Sequence, residues 1–144
     1  MGAITAGTKF IGAASKIMDT VQICTPRISQ DAALYGLKHV WPWVAEKRAM
    51  LAGREAALRD VFSDSALPYE LISAGGYFAY IRHPFEGKTA KQVARKLADE
   101  QNILCLPGSF FGPGQDSYLR FAFANVEAAD IGMLAERLKA SAPA

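Results

Sequence analysis

The chain has only two cysteines, Cys24 and Cys105, and two histidines, His39 and His83, among its 144 residues. No CxxC pair and no His/Cys cluster occurs, so neither a disulfide framework nor a metal site is expected. Each cysteine lies in an apolar run, and both read as buried free thiols. Neither histidine has a Ser, Cys or acidic partner at a catalytic spacing, and both read as structural. Long hydrophobic runs are absent as well. No window approaches 18 apolar residues, which argues against a membrane-spanning helix, and Lys9 interrupts a start that would otherwise resemble a signal peptide. Charge of one sign is lacking: 16 basic residues stand against 14 acidic ones, a net charge of +2. No basic run is interleaved with aromatics, so nucleic acid is not an expected partner. A reduced, cytoplasmic setting is the default.

What is present belongs to a globular protein. The composition is 51% hydrophobic and 21% charged, and the length suffices for a real core. Residues 2–6 read as a short buried strand ending at Gly7, and residues 8–19 as a helix. Ser29 is placed to cap a helix reaching Val40. Pro42 suits the first turn of a long amphipathic helix over 43–62, ended by Ser63-Asp64-Ser65. Residues 69–73 and 76–82 alternate as two strands joined through Ala74-Gly75-Gly76. Thr89 and Gln92 form a capping box for a helix to about residue 101. Ile103–Leu106 and Tyr118–Phe123 read as strands. Asn125 caps a last helix carrying Ile131, Leu134 and Leu138, with fraying expected after Lys139. The order from residue 65 onward predicts an α/β (α+β-like) layer, with helices on one face of a three- to four-stranded sheet.

The chemistry concentrates in Leu106-Pro107-Gly108-Ser109-Phe110-Phe111-Gly112-Pro113-Gly114 and the strand after it, Tyr118-Leu119-Arg120-Phe121-Ala122-Phe123. Pro107, Gly108, Gly112 and Pro113 stiffen the loop. Period-2 geometry sends Leu119, Phe121 and Phe123 to one face and Arg120 to the other. An arginine there needs an anion, either an internal Asp or Glu or the carboxylate of a ligand. Gly75-Gly76 permits positive φ or a close backbone approach, with a turn or bulge as the plain reading.

The pattern PGxxFGxxGxxxLR resembles the end of class I/II (fold type I) pyridoxal-phosphate-dependent aminotransferases. Gly2-Ala3-Ile4-Thr5-Ala6-Gly7 resembles the segment after that family's Schiff-base lysine and phosphate-binding arginine. Gln22-Ile23-Cys24-Thr25-Pro26-Arg27 and Gly75-Gly76-Tyr77-Phe78 fall where the family has comparable segments, so the resemblance runs through the whole chain. It implies that residues 1–58 are the end of the large cofactor domain plus a bridging helix, and that 59–144 are the small C-terminal domain. It also implies that the Schiff-base lysine lies upstream. Lys16, after Ala14-Ser15, and Lys9 read as solvated helix residues. No catalytic residue is expected in this chain, and none of it is expected to bind pyridoxal phosphate covalently.

By the same resemblance, Arg120 grips the α-carboxylate of an amino-acid or 2-oxo-acid substrate. Phe110 lies on a loop bordering the active-site entrance, Gly76 lines the pocket, and Arg27 approaches the pocket of the neighbouring subunit in a homodimer. For Arg27 a surface or capping role is the plainer reading. The function so implied is amino-group transfer by the complete enzyme, with this segment inactive alone. Two other readings stay open: an assembly module complementing a separate chain that carries the lysine, and a carboxylate-binding domain without chemistry.

Overall fold

The computed structural model describes residues 1–143. They fall into two compact units, residues 1–46 and 47–143. The first holds helix α1 (Thr8–Val21), helix α2 (Arg27–His39) and the start of helix α3 (Trp41–Phe62). None of its residues is buried. Phe10, Ile17, Val21, Ile23, Ile28 and Leu37 all face solvent, so this unit has no core of its own. Residues 1–7 form no strand and are exposed. Their apolar pattern suits pairing, but a strand needs a neighbour for its backbone donors and acceptors, and residues 1–46 contain no other strand. Helix α2 begins at Arg27 with Pro26 as its N-cap, so Ser29 lies inside the helix and does not cap it. Proline's fixed φ sets the helix entry two residues ahead of the hydroxyl. Cys24 is exposed, contrary to the expectation from its apolar neighbours.

The second unit is a four-stranded antiparallel sheet in the order β1-β2-β4-β3, with strands β1 (Glu70–Gly75), β2 (Phe78–Arg82), β3 (Leu106–Pro107) and β4 (Tyr118–Ala122). Strands β1 and β2 are joined by a two-residue turn, Gly76-Tyr77. Gly76 has φ +59° while Tyr77 keeps negative φ, the pattern that matches the twist of a hairpin. One bulge, between Leu71 and Ser73, shifts the register of β1. Side chains alternate strictly along β2 and β4. Ala79, Ile81, Leu119 and Phe121 are buried on the face that meets the helices. Against them pack Leu58 and Val61 of α3, the Ala90, Val93, Ala94 and Leu97 stripe of helix α4 (Ala90–Gln101), and Leu138. The Thr89–Gln92 capping box forms in full.

Several boundaries differ from the sequence expectation. Ile103 and Cys105 are buried and Leu104 exposed, as in a strand, but only Leu106 and Pro107 find partners on β4, opposite Arg120 and Leu119. Asn125 starts no helix, because Arg54 of α3 donates to the Ala124 carbonyl and to Glu127 and so holds this stretch as a turn. The last helical region is split at Gly132-Met133 into α5 (Ala128–Ile131) and α6 (Leu134–Ser141). The end of α6 does not fray at Lys139. Ser141 is buried; its hydroxyl donates to the Leu138 carbonyl and accepts from the Tyr69 hydroxyl at 2.7 Å.

His83 is structural, as its isolation in sequence implied. It is buried, with Nδ1 accepting from the Phe85 amide at 3.2 Å and Nε2 donating to the Asp116 carbonyl at 2.8 Å. Burial pushes the Cys105 thiol up to about 12. An unfolded thiol ionises near about 8.5, so above that pH the unfolded chain binds fewer protons and stability declines as pH rises toward 12. The urea midpoint of the wild-type chain should therefore drop more steeply through this alkaline range than that of Cys105→Ala. Parallel slopes would show that Cys105 is not sequestered.

Candidate functional site

The face of the sheet opposite the helices carries a row of polar and aromatic side chains. Cross-strand register places Arg82 beside Tyr118, Tyr80 beside Arg120, and Phe78 beside Ala122. Two arginines on this one face are handled differently. Arg82 is neutralised in the ordinary way: Nη1 donates to Glu70 at 2.8 Å and Nη2 to the Tyr118 hydroxyl at 3.1 Å. The Tyr118 hydroxyl and the Glu70 carboxylate both hold its guanidinium above the usual value.

Arg120 has no such partner. Among the described residues no carboxylate pairs with it. Its guanidinium carbon instead stands over two rings, 4.1 Å from the centroid of Phe78 and 4.0 Å from that of Phe111. The residue is half-buried. A ring face offsets positive charge through its quadrupole but takes up none of the conventional acceptor positions around the fork. Arg120 thus keeps its donors available on a partly desolvated surface, where a carboxylate gains most from them.

The two rings come from separate pieces of chain. Phe78 opens β2 directly after the hairpin turn that contains Gly76. Phe111 ends a short 3₁₀ turn, Gly108–Phe111, that follows β3. Glycine is required where this turn begins. A Cβ on Gly108 would lie 2.5 Å from the Gln115 carbonyl oxygen, 2.7 Å from that of Tyr118 and 2.8 Å from the Tyr80 hydroxyl. The Tyr80 hydroxyl donates to the Gln115 side chain at 2.7 Å, and its ring stacks on Tyr118 at 5.2 Å. The loop therefore closes over a floor with no room for a side chain. Gly112 and Gly114, at φ +150° and +72°, complete the return to β4.

The structure brings Arg120 together with Phe78 and Phe111, neither of which was singled out as a site residue in the sequence. For Phe78 the signal is the register, since it is two residues from Tyr80 on the same face and Tyr80 is opposite Arg120; Phe111 is brought there by the 3₁₀ turn, which no strand pattern indicates. Phe110, adjacent to Phe111, is exposed, and Gly76 sits in the turn. Arg27 belongs to the first unit, where it pairs with Asp31 one helical turn along at 2.9 Å. Elsewhere in the second unit a cavity of about 170 Å³, lined mainly by apolar side chains, lies between α5, α6 and the end of β4.

A family model described as aminotransferase class I and II matches residues 1–138. The curated protein named "Putative aminotransferase YugH", from Bacillus subtilis (strain 168), is 29% identical over 112 residues, covering 76% of this chain and 28% of its own length. A Methanococcus jannaschii protein, described as similar in its active site to kynurenine aminotransferases, superposes with a TM-score of 0.75 at 24% identity over 94% of this chain and 36% of that one. An aminotransferase from Staphylococcus aureus superposes at 0.70 and 25% identity, over 90% and 34%. The aromatic aminotransferase of Pyrococcus horikoshii gives 0.74 at 22% identity, over 94% and 36%. The chain thus spans about a third of the length of these proteins. Its antiparallel sheet and helices match their C-terminal domain.

Gly108→Ala should cost about 1–3 kcal/mol, because two of the three close contacts are backbone oxygens that cannot swing aside. Chemical denaturation measures this. A change under about 0.5 kcal/mol would mean that the loop floor is open.

Proposed function

Because this chain belongs to the class I and II aminotransferases, we propose that it is the C-terminal segment of a pyridoxal-phosphate-dependent enzyme moving an amino group between an amino acid and a 2-oxo acid, in which Arg120 binds the substrate α-carboxylate. The observation that carries the proposal is the unpaired half-buried guanidinium on the open sheet face. A paired fork of donors suits a planar carboxylate. Fixing that group orients the substrate's Cα, and orientation of reacting groups can supply several kcal/mol, on the order of 7 at the lower end of ideal cases.

The residues present do not fit pyridoxal phosphate by themselves. None of the described lysines is buried. Lys9 lies on a shallow surface groove with Gly7, Thr8, Phe10 and Ala13, and Lys16 is exposed on α1. A reactive amine holding that cofactor needs an enclosed, desolvated setting. When bound in the complete enzyme, the cofactor supplies the electron sink for the reaction. The contribution assigned to this chain is carboxylate binding and orientation, with no catalytic residue of its own. Residues 1–58 are proposed to close the large domain and 59–144 to form the small one. Arg27, Gly76 and Phe110 are proposed to lie near the pocket of a homodimer. No helix among the described residues is long and apolar enough to cross a membrane, and two free cysteines suit a reducing cytoplasm.

In the complete enzyme, Arg120→Ala should raise the substrate KM and lower kcat/KM roughly 10- to 150-fold, the loss expected for a hydrogen-bonded charge. Arg120→Lys should recover only part of it, because an ammonium lacks the fork. An unchanged kcat/KM in Arg120→Ala removes the assignment.

A second reading, that the chain is an assembly module completed by a separate polypeptide, draws on the exposed apolar residues of the first unit. Such surfaces need a cover. The isolated chain should therefore self-associate in sedimentation experiments, and a freely soluble monomer would count against an incomplete fold.

A further inference from the structure

Carboxylate binding by Arg120 leaves a mechanical question open. A long side chain with no acid to hold it would lose much rotamer freedom on meeting a ligand, and that loss opposes binding. The contrast with Arg82 shows what is unusual. Arg82 is fixed by Glu70, whose carboxylate would compete with any incoming anion. Arg120 is fixed with no competing acceptor, and the contacts of its guanidinium are rings. Phe78 and Phe111 are 41% and 46% exposed, so neither belongs to the core packed between sheet and helices.

We propose that Phe78 and Phe111 are positioning residues that hold the Arg120 guanidinium ready for a carboxylate; this rests on the reading of Arg120 given above. The clamp has two independent anchors. Phe78 is fixed by its register opposite Ala122 on β4, two residues from Arg120 along the ladder. Phe111 is fixed by the 3₁₀ turn, whose first residue, Gly108, lies against the Gln115 and Tyr118 carbonyls. The glycine-rich loop therefore delivers one ring to one cation. Loss of either ring lets the guanidinium sample solvent-directed rotamers, so the ordering it now carries into the complex falls to the ligand instead. A contact of this class at a partly exposed site corresponds to roughly a two- to fivefold change in affinity per ring.

The test uses the complete enzyme and acetate as the probe, titrated against chloride at matched ionic strength, with Arg120 followed by NMR. In the wild type, the Arg120 δ-methylene protons should lie upfield of those of exposed Arg27 and Arg95 through the ring currents of two phenylalanines. Acetate should shift the Arg120 Nε–H signal saturably. Phe78→Leu and Phe111→Leu should each abolish part of the upfield shift and weaken acetate two- to fivefold, whereas Phe111→Tyr, which keeps the ring face, should bind as the wild type does. Arg120→Ala should remove the response. If the wild type shows no acetate response at Arg120, the carboxylate reading itself fails. If it responds and both leucine variants respond with equal affinity, the positioning role alone is overturned. Wild-type δ-protons without an upfield shift overturn the clamp whatever the leucine variants do.

Discussion

A cation on a sheet needs something to offset it, and at Arg120 that something is aromatic, not acidic. This choice constrains everything around it. A carboxylate beside Arg120 would have given a surface ion pair like Arg82–Glu70, stable enough and closed to ligands. Two ring faces at about 4 Å stabilise the charge while leaving the donor edge open. To place those rings the chain needs a hairpin tight enough to start β2 at Phe78, and a loop that turns back sharply enough to bring Phe111 over β4. Gly76 supplies the first and Gly108 the second.

The rest of the second unit is the support for that arrangement. Strict alternation on β2 and β4 buries Ala79, Ile81, Leu119 and Phe121 against α3 and α4, and so commits Phe78, Tyr80, Tyr118 and Arg120 to the other face. A one-residue slip would exchange the two sets. Arg54 of α3 pins the turn after β4, and Tyr69 and Ser141 tie the last helix back to the chain entering β1. The first unit is built otherwise. Its helices are amphipathic with nothing buried, and their apolar residues face solvent.

Much of this was legible in the sequence where local chemistry decides. The Thr89–Gln92 box, the alternation of Phe78–Arg82 and Tyr118–Ala122, and the long helix ending at Phe62 each follow from side chains within a few residues of one another. Expectations failed where a distant partner decides. Residues 2–6 have the composition of a buried strand but no neighbour to pair with. Asn125 has the character of a cap, yet Arg54, far back in the chain and 70 residues from Ala124, holds the stretch as a turn. Cys24 sits among apolar residues that are themselves exposed, whereas Cys105 belongs to the buried core. For Arg120, alternation along one strand decides only the face. Whether an acid or a ring would meet it depended on cross-strand register and on the path of a loop, and period-2 reasoning on one strand reaches neither.

The most direct test is a crystal structure of the complete enzyme with a 2-oxo acid bound. The ligand carboxylate should lie on the Arg120 guanidinium at about 2.7–2.9 Å, with Phe78 and Phe111 still over its faces. An Asp or Glu of the enzyme occupying that fork, with the ligand carboxylate held elsewhere, would contradict the central claim.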